Sequence, residues 1–139
     1  MFRWVPLFAV APLAACVSAA GPLPKLSGDI EQPELALFEH VLTGHFAGAS
    51  GGPRTCAALL PKPLTAKQEK ALVERFVRLA PASQCGEGEG VVQVYEFACA
   101  SEGVCSGWVA RPGAPATRYT MRFDGGSWRF DGDLRVIAK

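Results

Sequence analysis

The chain of 139 residues carries 14 basic and 13 acidic side chains, a formal charge of +1, so net charge dictates neither an acidic nor a basic partner. Apolar residues make up 49% of it, which excludes a wholly disordered chain, and the length restricts the fold to one modest core. Arg111, Arg118, Arg122, Arg129 and Arg135 alternate with acidic or apolar residues instead of forming a basic stripe with interleaved aromatics, so nucleic acid is not an expected partner.

The first element is an export signal. Met1 to Arg3 supplies a short positive region, and Trp4 to Ala15 is apolar apart from two prolines, a stretch too short to span a bilayer. Residues 1–15 are therefore expected as a signal peptide, and without Arg3 the remaining chain balances 13 basic against 13 acidic residues. Two cleavage readings compete. Small residues in "VSAAG" suit a general cut that releases a soluble secreted or periplasmic protein. Leu13-Ala14-Ala15-Cys16 instead resembles the lipobox of bacterial lipoproteins, and only this reading gives Cys16 a purpose. The resemblance implies a Cys16 thiol bearing diacylglycerol, a mature chain that begins there, and a membrane held through several acyl chains. Val17 is not the aspartate that in enteric bacteria retains lipoproteins at the inner membrane, which favours the outer membrane.

Five cysteines are an odd number for an oxidising compartment. Assigning Cys16 to lipid leaves Cys56, Cys85, Cys99 and Cys105, which can pair completely. Three connectivities are open; the favoured one joins Cys99 to Cys105 across a hairpin and Cys56 to Cys85 around a helix. Zinc is the rival reading, but the tightest spacing is C-x5-C where zinc modules present close pairs such as C-x-x-C, so no metal is expected.

Residues 16–33 are rich in Ala, Gly, Pro and Ser and read as a lipid-anchored tether. Residues 34–139 read as a single α+β domain. In "PELALFEHVLTGHF", Leu35, Phe38, Leu42 and His45 with Phe46 form one helical stripe, closed by "GASGGP". "PRTCAALLP" is a short extended segment. Thr65 with Gln68 forms a capping box before a second helix, whose expected stripe is Leu72, Phe76 and Leu79 with Val73 and Val77, stopped by Pro81. The remainder alternates as strands: "GVVQVYEFACA", "VCSGWVARP", "ATRYTMRFD" and "SWRFDGDLRVIA", separated by the turn sequences "SEG", "GAP" and "DGG". The near-repeat "RFDG" marks two strand ends. These elements predict two N-terminal helices packed on a curved antiparallel sheet of four to five strands, with two disulfides. That element order is similar to the nuclear-transport-factor-2-like and cystatin-like folds, which host both enzymes and non-catalytic binding modules.

Candidate chemistry is sparse. His40 and His45 are the only histidines, and five residues apart on a helix they diverge by about 140°, poorly placed to share a metal. Glu87 and Glu89 sit in the glycine-rich "CGEGEGV", where a loop is the plainer explanation. Asp124, Asp131 and Asp133 lack the order and closing glutamate of a calcium hand. A curved sheet under helices can enclose an apolar pocket, and the candidate lining is Tyr95, Phe97, Trp108, Tyr119, Met121 and Trp128, with Tyr95, Tyr119 and Glu96 the polar groups that could be aimed into it. No catalytic residue, cofactor or metal ligand is assigned. The leading expectation is a non-catalytic cell-envelope lipoprotein whose domain binds another envelope component. Two alternatives stand beside it: a small-molecule binder or enzyme using a cavity between sheet and helices, and a soluble secreted binding or inhibitor module.

Overall fold

A computed structural model describes residues 22–48, 54–86 and 90–130, together with the backbone of 135–137. Helix α1 spans Pro33–Ala47, with the proline in its first turn, where a missing N–H costs nothing. Leu35, Ala36, Leu37, Phe38 and Leu42 are fully buried, and Val41 is buried to within 4%. Four consecutive buried residues cover more than one helix face, so α1 is enclosed on several sides and does not merely rest on the sheet by one stripe.

Strand β1 (Cys56–Leu59) leads into helix α2 (Ala66–Arg75). Both halves of the capping box form: Gln68 N donates to Thr65 Oγ1 at 3.1 Å, and Thr65 N donates to Gln68 Oε1 at 2.9 Å. The helix stops earlier than its periodicity predicts. Phe76 is extended, Leu79 bridges Thr55 in parallel, and Ala80 N donates to Thr55 O at 2.8 Å. Phe76 and Leu79 are buried as expected, but from the segment after the helix, and Val77 is 93% exposed. The physical reason is closure: a Cys56–Cys85 disulfide and the pairing with Thr55 draw this segment back along β1, away from the helical path. A short 3-10 turn, Ala82–Gln84, precedes Cys85.

Strands β2 (Val91–Ser101), β3 (Val104–Ala110), β4 (Ala116–Asp124) and β5 (Ser127–Phe130) form an antiparallel meander, and β6 (Arg135–Ile137) continues along the same edge of β4. The sheet order is β1-β2-β3-β4-β5, with β1 parallel to β2. The curled sheet is thus mixed and not purely antiparallel. Residues 60–90, including α2, form the crossover that a parallel neighbour requires. The second disulfide joins Cys99 to Cys105 across the β2–β3 hairpin, so both pairs are those favoured from the spacing.

The inner face of the sheet carries Val92, Val94, Cys105, Val109, Met121 and Trp128 against the buried side of α1. Glu96 has φ 50° at an irregularity in the β2–β3 register. This bulge interrupts the alternation, sending Glu96 outward and Phe97 inward. Opposite Phe97 sits Gly107, where an added Cβ would lie 2.7 Å from Phe97 Cδ2 and 3.4 Å from Leu37 Cδ2. Glycine here leaves room for the inward-turned Phe97 ring.

Residues 22–32, within the span expected as tether, are fastened to the domain. Leu26 and Ile30 pack against the core. Trp128 donates from its backbone N to Ser27 O and from its indole Nε1 to Asp29 O, each at 2.9 Å. Ser27 N donates to Glu39 Oε1 at 3.1 Å, while Glu39 Oε2 pairs with Arg75 Nε at 3.0 Å. One carboxylate therefore ties the lead-in segment, α1 and α2 together.

Candidate functional site

Among the described residues, α1 packs on the inner face of the sheet through hydrophobic core. An open cleft of about 670 Å³ remains beside α1, where His40, Thr43 and Gly44 face Tyr119, Trp128 and Phe130 of β4 and β5, with Ser27 and Arg111 also lining it. This volume is within the range of small-molecule sites.

The wall of the cleft is aromatic. The His40 ring stacks on Phe130 with centroids 4.1 Å apart and planes 9° from parallel, and it meets Tyr119 edge-on at 5.7 Å. Partial burial removes water from the imidazole and lowers its pKa below the ordinary 6.5, which favours the neutral ring at pH 7. His45, one turn further along, is lowered by burial first and then by Arg111 and Arg78. The same charge that disfavours a protonated His45 thus belongs to the cleft.

Among the described residues, the Arg111 guanidinium, the Tyr119 hydroxyl and the His40 ring nitrogens have no hydrogen-bond or ion-pair partner, whereas Glu39 is committed to Ser27 and Arg75 and Thr43 Oγ1 donates to Glu39 O at 2.7 Å. The cleft therefore combines a flat apolar wall with one unpaired cation and neutral hydrogen-bonding groups. This arrangement suits binding. Among the described residues, one buried side-chain polar atom also lacks a partner: Glu34 Oε1 in the first turn of α1.

The structure divides the six residues of the expected pocket. Tyr119 and Trp128 line the cleft. Met121 is buried in the core, and Phe97 packs against it at Gly107. Tyr95 and Trp108 pair across β2 and β3 with rings 6.4 Å apart and 19° from parallel, on the opposite, outer face of the sheet. The bulge at Glu96 explains the separation, since it places Tyr95 and Phe97 on opposite faces despite their i, i+2 spacing. Glu96 is exposed and does not line the cleft. The outer face also carries Arg118, which donates to Ser106 Oγ at 3.0 Å, and Arg122 directly opposite Arg129.

Phe130, Arg111 and Glu39 were not among the sequence candidates. The first had a signal, because it alternates with Trp128 on β5 and so shares its face; Arg111 had none, since it follows the end of β3. Asp124 is exposed at its turn. Cys16, Glu87, Glu89, Asp131 and Asp133 lie outside the described residues. Among the described residues, no group of three or more His, Cys, Asp or Glu side chains is placed to hold a metal ion, and no helix is long and apolar enough to cross a membrane. No protein-family model, curated protein or solved structure matches the chain.

Proposed function

We propose that the protein is a bacterial cell-envelope lipoprotein, anchored through acyl chains on Cys16, whose disulfide-stapled α+β domain acts as a non-catalytic binding module. The observation that carries this reading is the cysteine accounting. Cys56 pairs with Cys85 and Cys99 with Cys105, so Cys16 is the one cysteine of the five left without a disulfide role. It ends the Leu13-Ala14-Ala15-Cys16 sequence, in which a lipid thioether accounts for it. Disulfides also agree with an oxidising compartment outside the cytoplasm.

The anchor would place the domain close to its membrane. Residues from Leu26 onward pack on the core, so only about ten residues separate that point from Cys16. Fully extended, they reach roughly 35 Å. A partner or ligand is accordingly met near the bilayer surface, with the outer membrane favoured over the inner. Fractionation of cells producing the wild-type chain and Cys16→Ser tests the anchor. The wild type should be recovered with membranes and extracted only by detergent, and mature Cys16→Ser should lose that attachment. Release of both into the soluble fraction would support the secreted-module alternative.

A further inference from the structure

Resting on the reading of the domain as a binding module, we propose that the cleft between α1 and the β4–β5 edge is a binding site for a small amphipathic anion: a flat apolar body held against the His40–Phe130–Tyr119 wall and an anionic group held by Arg111. An arginine on a small balanced domain ordinarily finds a carboxylate or stays in bulk solvent; Arg111 lines the cleft and has no such partner among the described residues.

The available carboxylate does not compensate for it. Glu39 also lines the cleft, but both of its oxygens are engaged, one with Ser27 N and the other with Arg75, so it has little reason to turn towards Arg111. Among the described residues, the cleft consequently presents a positive group while the carboxylate that shares its lining is already satisfied. An anion is the complementary ligand.

The aromatic wall sets the other half of the specificity. His40 and Phe130 lie nearly parallel in contact, which fixes the imidazole plane, and Tyr119 meets the ring edge-on. A preorganised flat surface favours a flat or compact apolar group at low entropic cost. Tyr119 and His40 contribute unpaired hydrogen-bonding atoms beside it. The open volume of about 670 Å³ accommodates a molecule of metabolite or drug size.

A matched pair of fluorescent probes separates the two halves of the proposal. Anilinonaphthalene sulfonate and phenylnaphthylamine share one aromatic body, and only the former carries an anion. Both are titrated into the chain from residue 16 onward carrying Cys16→Ser, which retains every described residue. The anionic probe should bind at one site about tenfold more tightly than the neutral one, the ratio expected from one charge-assisted contact. Arg111→Gln should bring the anion down to the affinity of the neutral probe and leave the latter unchanged. His40→Ala should weaken both, while Arg122→Gln on the outer face should alter neither. Equal affinity of the two probes for the wild type, or an Arg111→Gln titration identical to wild type, would overturn the proposal. Because the measurement uses an unacylated chain, failure here leaves the lipid-anchor reading standing, and loss of the anchor reading leaves this site intact.

Discussion

Gly107 is the point at which the packing of the inward-turned Phe97 ring can be tested most sharply. The Cβ of an alanine there would lie 2.7 Å from Phe97 Cδ2 and 3.4 Å from Leu37 Cδ2, and Leu37 is fully buried. Something must shift. Overpacking of this kind costs about 1–3 kcal/mol, whereas replacing glycine by alanine within a strand returns about 0.5–1 kcal/mol of backbone entropy. The net expectation for Gly107→Ala is a loss of about 1–2 kcal/mol. For a domain of this size that lowers Tm by roughly 4–8 °C. Thermal and urea unfolding with the disulfides intact would measure it. The decisive comparison is the same substitution in a Phe97→Ala background, where the ring is gone and the entropy term should leave alanine neutral or slightly stabilising. An equal loss in both backgrounds would refute the contact as its cause, and a raised Tm for Gly107→Ala alone would refute the close approach of Phe97 to Gly107.

The disulfides should differ in weight. Removing the Cys56–Cys85 pair, with a separation of 29 residues, should cost about 3.6 kcal/mol, and removing Cys99–Cys105, with a separation of 6, about 2 kcal/mol, as read from urea midpoints of the paired Cys→Ser variants. Trp128→Phe should lose about 1 kcal/mol with the indole bond to Asp29 O, and amide exchange should accelerate in residues 26–32 more than in β3. His40 and His45 are both lowered from 6.5 in the folded state, so the unfolded chain binds protons first. Their contribution is complete above about pH 6.5 and is lost as pH falls through the lowered folded values. Tm should therefore decline from pH 7.5 to pH 5, and His40→Gln with His45→Gln should flatten that decline; an unchanged slope would contradict the assignment.

Much of this architecture is legible from local signals. Pro33, the Thr65–Gln68 capping box, the glycine turns and the alternation of Tyr119, Met121 and Phe123 each act over a few residues, and each produces the element expected. The two cysteine pairs follow as well, because the hairpin brings Cys99 opposite Cys105. What escapes the sequence depends on contacts distant along the chain. Helix α2 ends at Arg75 because the following segment pairs with Thr55, and β1 lies parallel to β2 because the intervening crossover returns it to the same side. The largest consequence comes from one residue. The bulge at Glu96 reverses the facing of the rest of β2 relative to simple alternation, so Phe97 turns inward while Tyr95, ahead of the bulge, and its partner Trp108 stay on the outer face. Likewise, Arg111 joins His40 only through folding, since nothing within either local sequence refers to the other.

The intact mass of the protein purified from membranes tests the lipid anchor at Cys16 most directly. A mature chain beginning at Cys16 and carrying the added mass of acyl chains, with the remaining four cysteines oxidised, is the predicted result. An unmodified chain beginning near Gly21 would contradict the anchor and leave a freely diffusing secreted domain.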